Sequence, residues 1–491
     1  MYKAVPIVVK MLEALKVFEI NYCHFKSNEH LGPAISGDTD LDMLFANAEY
    51  EKVKNLLLEL GFQKCNTAWY VSYPYVEDYI AIDGGKVIHV HAHFRLILGE
   101  SKVKSYIIPW EKEILSNRSL MEEYGIYVSN PIHEMMLLII RTALKLPFSD
   151  SNYQNKRDIK DAFREFEWLK DRVSQNEIIE FTKLKFGSLS EASVRKIYDE
   201  NINYKNVKQF IKVSKTELNT CRRYSFIQSK LIKLTRQLAI ALSVLNKKFN
   251  LFPTIKNHRT LDRNGIIISL MGSDGSGKST QVALLKTILL KKIDVRYLYM
   301  GSGDGHASWH RNLLKIGMGL LKSKKGSSVA YKDKKLSVFS FLKTIYVISL
   351  AVEKRAKLMQ LNSYRKKGMI CITDRYPQTQ IYGYNDGLHL SDWLNSSNIF
   401  LRALADFEYK CYNLSNEIKP DLVVKLIADS DVLHSRRSEM TKKEIEKKQD
   451  GIKNIFFDQS VYVIQLDATL SKEEVTTLIL DEISQKLIES K

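Results

Sequence analysis

Between Gly265 and Lys292 the chain reads GIIISLMGSDGSGKSTQVALLKTILLKK, and no other stretch limits the possible folds so strongly. A continuous apolar run of strand length passes into a glycine-rich turn, then Lys278, Ser279 and Thr280, then apolar residues at helical spacing. Glycines let the backbone turn sharply and bring its N–H groups close to an anion. A helix that starts right after such a turn adds unpaired donors and the positive end of its dipole.

Strand, GxxxxGK[ST] and helix in this order form the P-loop pattern. Gly272, Ser273, Asp274, Gly275, Ser276 and Gly277 form the cradle, Lys278 reaches the terminal phosphates, Ser279 offers a hydroxyl to Mg²⁺, and Thr280 opens the helix. The bland alternative is a glycine-rich turn with its lysine in solvent; the flanking strand and helix favour a nucleotide-phosphate site. ATP and Mg²⁺ are the cofactors this predicts. A net charge of +18, with basic residues spread along the chain, suits phosphate-bearing partners. No nucleic-acid-binding signature is present, so no stable nucleic-acid partner is expected.

Two further segments belong with this site. GMICITDRYPQTQIYGYNDG is a short buried-type strand ending in Asp374-Arg375-Tyr376. A carboxylate at the carboxyl end of a neighbouring parallel strand can hold the water shell of a magnesium ion, and an arginine beside it can clamp a phosphate. PDLVVKLIADSDVLHSRRSEMTKKEIEKKQ gives another buried strand and then a very basic helical run led by Arg436 and Arg437. Such a run reads as a lid that closes an arginine over the moving phosphoryl group and excludes water. The plainer readings are a strand-end salt bridge and a solvated basic helix.

With 491 residues, two or three domains are expected. Residues 1–130 mix strand and helix patterns, 131–245 are mostly helical, 246–264 read as a linker, and 265–491 alternate strands and helices as a parallel α/β domain does. Leu336 to Val352 is the most apolar stretch, but Lys343 and several hydroxyls interrupt it, so a buried or amphipathic helix is expected and no transmembrane segment. The N-terminus lacks the pattern of a signal peptide. Five scattered cysteines without C-x-x-C spacing fit a reducing, cytoplasmic location.

From Gly265 onward, GSDGSGKST, DRYPQT, PDLVVKL with its paired arginines, and LDATLSKEEV resemble the thymidylate kinase group of P-loop kinases. The resemblance implies that Asp274 contacts the sugar of the acceptor and Arg375 a transferring or acceptor phosphate. It also implies that Arg436 or Arg437 carries the lid role, and that the residues after Leu466-Asp467-Ala468 lie near the base of ATP. Two departures stand out. The Arg-Glu-Pro-Gly-Gly loop of that group is absent, VRYLYMGSGDGHASWHR standing there instead, with Arg296 or Arg311 as substitutes. Thr379 matches the group's serine, but Tyr382-Gly383-Tyr384 replaces the residues that hold thymine. The donor site matches the group and the acceptor site is remade.

In the N-terminal half, HFKSNEHLGPAISGDTDLDMLFA resembles the nucleotidyltransferase fold, with Lys26-Ser27 in place of its Gly-Ser pair and Asp40 and Asp42 as its carboxylates. Residues two apart on a strand share a face, so both carboxylates can meet one metal. His89, His91 and His93 share a face of the next candidate strand, as transition-metal ligands or as an ordinary polar face. Asp83 is the fallback third carboxylate, although Gly84-Gly85 after it reads as a hairpin turn. The two-part layout resembles bacterial proteins loosely named thymidylate kinases, some near surface-polysaccharide genes, which implies a sugar or glycan precursor as acceptor.

The expected fold class is α/β: a C-terminal P-loop kinase fold with a parallel sheet, and an N-terminal α+β nucleotidyltransferase-like domain with a helical extension. The expected activity is ATP- and Mg²⁺-dependent phosphotransfer to a small phosphate- or hydroxyl-bearing acceptor such as dTMP, another nucleoside monophosphate, or a sugar precursor. A nucleotide-gated scaffold, and nucleotidyl transfer in the N-terminal domain beside a regulatory kinase-like domain, stay open as alternatives. The expected partners are the nucleotide, the small-molecule acceptor and a second copy in a homodimer.

Overall fold

The computed structural model describes residues 2–146, 157–249, 258–301, 338–436 and 440–489. The chain divides into two units, Met1–Arg259 and Thr260–Lys491.

The N-terminal unit is built on a mixed sheet. Its strands are β1 (Tyr22–His24), β2 (Leu41–Phe45), β3 (Gln63–Asn66), β4 (Val76–Asp83), β5 (Lys86–His93), β6 (Ser119–Met121) and β7 (Ile126–Val128), in the order β3-β4-β5-β2-β1-β7-β6. Alternation along the strands sorts side chains onto two faces. Tyr22, Leu41, Met43, Phe45, Tyr79, Ile88 and Val90 pack against Val8, Met11 and Leu15 of the helix Pro6–Val17. On the other face Cys23, Phe25 and Leu44 meet Met135 to Ile140 of the helix Pro131–Leu144, which is buried nearly all round. Asn130 caps that helix by accepting the Ile132 N–H at 2.9 Å, and Pro131 takes the first position, where its missing donor is no loss. Asp42, Asp78 and the three histidines of β5 alternate with the residues of the first face, so they lie on the side of Phe25 and the helices. A long helix, Phe226–Phe249, takes in Asn246 to Phe249, which the sequence reads as linker; residues 250–257 of that stretch lie outside the described residues.

The C-terminal unit has a five-stranded parallel sheet of β8 (Ile267–Gly272), β9 (Val295–Tyr299), β10 (Ile370–Asp374), β11 (Leu422–Ile427) and β12 (Tyr462–Asp467), in the order β9-β10-β8-β11-β12. β8 is central and buried at every position, because a parallel sheet is covered on both faces. This is a mixed α/β architecture with the glycine-rich turn at the carboxyl end of its middle strand. The helix Val338–Lys366 covers most of the apolar stretch noted above, whose first residues, 336 and 337, lie outside the described part. Among the described residues no helix is long and apolar enough to cross a membrane.

Candidate functional site

The carboxyl ends of β8 and β10 lie side by side, with Leu270 opposite Asp374 in the register. This is where open parallel sheets place ligands. The turn after β8 has room for no side chain at its start: a Cβ on Gly272 would stand 2.3 Å from Ser276 Oγ and 2.9 Å from the Leu426 carbonyl. Gly277 takes φ +85° at the N-cap of the helix Lys278–Leu289, a conformation that favours glycine. Lys278 is 6% exposed, and its ammonium donates to the Ser273 carbonyl at 2.8 Å. Burial, then the charge of Arg375, pulls it down to about 8.

Several polar atoms face this turn without a hydrogen-bond partner among the described residues: Ser273 Oγ, Ser276 Oγ and Asp374 Oδ1, all buried. Ser279 Oγ lies 3.4 Å from the other oxygen of Asp374. Burial pushes the Asp374 carboxyl up, against Lys278 and Arg375. A hydroxyl and a carboxylate with an unused buried oxygen are the hard donors that Mg²⁺ takes, so the residues fit that ion. A cavity of about 380 Å³ adjoins the turn, lined by Gly275, Gly277, Thr280, Ala468 and Leu470 among others. Arg436 closes one edge of it, donating to the carbonyls of Ala468 at 3.0 Å and Gly275 at 3.4 Å. Arg437 lies outside the described residues, as does Arg311.

Arg375 follows β10 with φ +71°, uncommon for a side-chain-bearing residue and of the kind that clusters at functional sites. Its guanidinium reaches Asp274 at 2.7 Å and Asp386 at 3.5 Å. Lys448, from the helix Lys442–Asn454, reaches the second oxygen of Asp274 at 2.9 Å. Burial works against the Asp274 charge, but Lys448 and Arg375 outweigh it and hold the carboxyl at about 2. Lys354, almost fully buried, stands 3.4 Å from Asp386. Sequence reading missed Lys354, Asp386 and the reach of Lys448; the signals were the unexplained Asn-Asp-Gly turn and the basic run after β11. Arg296 does not serve as a phosphate-gripping substitute. It sits near the amino end of β9, paired with Asp294 at 3.2 Å, while the site is at the carboxyl end, where Tyr299 is level with Asp374.

Between Tyr376 and Leu390 the chain is held by its own turns and by neighbouring helices, Asn385 donating to the Lys448 carbonyl at 2.9 Å. Gln378 accepts from the N–H groups of Gln380 at 2.6 Å and Ile381 at 2.7 Å, and its amide donates to the carbonyls of Ile381 at 2.9 Å and Asn385 at 3.1 Å. Buried Glu408 accepts from the N–H groups of His389 at 2.9 Å and Leu390 at 2.8 Å. A Cβ on Gly387 would come within 1.6 Å of the Ile381 carbonyl oxygen.

The N-terminal unit brings a second set of candidates together. Asp42 meets Lys26 Nζ at 2.9 Å, His91 Nδ1 at 3.1 Å and His93 Nε2 at 3.7 Å. Burial opposes its charge, but Lys26 and the hydrogen bonds from His91 and His93 keep the carboxyl well below the usual range. Asp40 pairs instead with His89 Nδ1 at 3.0 Å. Ser27 takes φ +56°, and its N–H donates to Glu165 at 3.2 Å. A further carboxylate, Asp78, stands 2.8 Å from His89 Nε2. Asp83, the fallback, is not in this group: it accepts the Ile7 N–H at 2.6 Å, at the hairpin end of β4.

No protein-family model matches the chain. It is 23% identical over 223 residues to the protein of Escherichia coli K12 named "uncharacterized ATP-binding protein YghS", spanning 45% of this chain and 93% of that protein. It is 25% identical over 219 residues to "uncharacterized ATP-binding protein YghR" of the same strain, spanning 43% and 83%. Among solved structures it is similar to a thymidylate kinase from Candida albicans, at 15% identity over 46% of this chain and 93% of that one, with a TM-score of 0.29. The chain thus shares a weak, partial likeness with proteins named for ATP binding.

Proposed function

We propose that the C-terminal unit is an ATP- and Mg²⁺-dependent kinase acting in the cytoplasm on a small phosphate- or hydroxyl-bearing acceptor. The observation that carries this reading is the buried Lys278 ammonium beside the Ser279–Asp374 pair, at the carboxyl ends of adjacent parallel strands. The two ATP-binding relatives support the nucleotide.

The residues divide the work as follows. The N–H groups of the turn and Lys278 hold the β- and γ-phosphates of ATP. Ser279 and Asp374 would hold Mg²⁺, which neutralises phosphate oxygens as charge develops. Arg375 and Lys448 already converge on Asp274, so an acceptor that binds there meets two cations for its phosphate and one carboxylate for a hydroxyl. An acceptor oxygen takes the γ-phosphoryl group, the bond to the β-phosphate breaks, ADP leaves, and the proton of a hydroxyl acceptor is released to solvent. Arg436 borders the nucleotide cavity and shields its mouth from water.

The test is a product assay with γ-labelled ATP and Mg²⁺. The acceptors are dTMP, the other nucleoside monophosphates, and a panel of sugars and sugar phosphates. Label in one of them, lost in Lys278→Ala, is the expected result. Label released only as free phosphate, or an unchanged rate in Lys278→Ala, would overturn the reading. Label in dTMP would mean that the loop from Tyr376 to Leu390 holds thymine by means other than those of the thymidylate kinases.

A further inference from the structure

The sheet of the N-terminal unit gathers ligand atoms that the kinase reading does not use. His91 lies directly opposite Asp42 in the β2–β5 register, and His93 follows two positions along on the same face. His91 Nδ1, His93 Nε2 and Asp42 Oδ1 are 3.1, 3.3 and 3.7 Å apart. Tetrahedral ligands at bonds of about 2.1 Å stand roughly 3.4 Å from one another, so the triangle already has the size of a coordination sphere. Among the described residues this is the group of metal-ligating side chains whose atoms converge so closely.

We propose that Asp42, His91 and His93 bind a divalent transition-metal ion of the zinc class, and that its open side faces a cavity for a phosphate-bearing ligand.

The donor set points to that class. Two imidazoles and one carboxylate suit zinc and its neighbours, whereas Mg²⁺ prefers oxygen alone. Three protein ligands that leave a position open are the pattern of catalytic zinc sites. All three sit on paired strands, which fix their spacing better than loops. An outer layer is also present. Asp78 Oδ1 is hydrogen-bonded to His89 Nε2 at 2.8 Å and its charge lies 3.9 Å from His91 Nε2, and Asp78 is itself held by Arg259 at 3.0 Å and by Thr67. The negative charge of a carboxylate behind a ligating histidine raises its basicity.

The open side is cationic. Lys26 lines two adjoining cavities of about 320 Å³ each, one carrying Asp40 and Asp42, the other His93. The second also contains Lys104, Arg141 and Lys145, against the carboxylates Asp161 and Glu165. Glu165 is engaged by Arg141 and Ser27. Burial, then the charge of Lys26, pulls Lys104 down to about 7, a penalty that an anion in the cavity relieves. Lys26 Nζ shares the Asp42 oxygen that the ion needs. Metal binding therefore releases this lysine, whose flexible stem carries it towards the cavity and its phosphate.

The experiment is a Co²⁺ titration of the full chain, freed of any affinity tag and stripped with chelator, read by visible d–d absorption and by displacement with Zn²⁺. One equivalent giving a low-symmetry band is expected. His93→Ala should weaken binding by roughly 100-fold or more, and Asp78→Asn by about tenfold. Lys26→Ala should bind more tightly, because the competing ammonium is gone, and Asp374→Asn should bind as the unaltered chain does. No band in the unaltered chain overturns the proposal, and so does a band that His93→Ala keeps or that Asp374→Asn loses. If circular dichroism shows His93→Ala unfolded, Lys26→Ala decides: affinity unchanged or lowered also overturns it. Inorganic phosphate should then shift the Co²⁺ band, and Lys104→Ala should remove the shift; a band insensitive to phosphate overturns the part concerning the cavity.

Discussion

The two candidate sites of this chain are made in opposite ways. Around Lys278 the backbone does the shaping: consecutive residues bend into a cradle, and the side chains that face it keep buried oxygens without partners among the described residues. Around Asp42 the backbone is regular strand, and the side chains reach across it to one another, each already in contact. The first arrangement suits an anion, which needs many N–H donors at close range. The second suits a cation, which needs a few strong ligands at fixed spacing. A backbone site therefore tolerates little change in chain path, and a side-chain site tolerates little change in identity.

Replacement of Lys278 by alanine should produce the largest effect. Turnover should fall by about 100- to 1,000-fold, the scale on which one preorganised electrostatic contact counts, with the melting temperature nearly unchanged. Steady-state kinetics beside a thermal melt checks both. A large loss of stability instead would mean that the lysine holds the turn together, which would erase the contrast with the strand-built site.

Next in size is Gly387→Ala. Its Cβ cannot fit beside the Ile381 carbonyl, so the loop from Tyr376 to Leu390 must rearrange. The acceptor KM should rise about tenfold while ATP affinity, measured by calorimetry, stays the same. Equal loss of both would show that donor and acceptor sites are one rigid body.

The pH dependence of ATP binding sharpens the same comparison. Lys278 is held at about 8 in the folded chain, and phosphates favour its charged form, so its value rises on binding. Above pH 8 the nucleotide must bring a proton with it. Affinity should be greatest below pH 8 and fall, by up to about tenfold per unit, as pH rises towards the bound-state value. Calorimetry at pH 9 in two buffers of different ionisation enthalpy should show proton uptake. Proton release would mean that another group governs the site.

Lys448→Ala should have the smallest effect. Lys448 and Asp274 are each about a third exposed, so solvent screens the pair and about 1 kcal/mol or less is at stake. A change of a few-fold in acceptor KM is expected, with kcat nearly the same.

The contrast also explains what could be read from the letters alone. The P-loop, the strand that ends in Asp374 and the buried run of β11 are local patterns, and each lies where its sequence puts it. The side-chain site is written in scattered residues that meet only through strand pairing. Asp83 is the carboxylate that stands out in the sequence, yet pairing back from the Gly84-Gly85 turn, with Asp83 opposite Lys86, sets Asp78 opposite His91. Lys448 could not be placed, because a lysine in a basic helical run looks the same whether it faces solvent or an aspartate from another part of the chain. Arg296 looked like a spare phosphate ligand until the register of β9 put it at the wrong end of its strand.

The loop after Arg375 draws its shape from Gln378 and its own turns, from Glu408, and from the helix Lys442–Asn454, where the Lys448 carbonyl accepts from Asn385 at 2.9 Å. Its geometry therefore travels with its sequence. On the proposed kinase reading, related chains can exchange this segment together with its partners Glu408 and the helix Lys442–Asn454, and so change the acceptor, without redesigning how ATP is held. On that reading selection acts on the two halves of the reaction separately, and such a chain can acquire a new substrate while its donor machinery passes unaltered from ancestor to descendant.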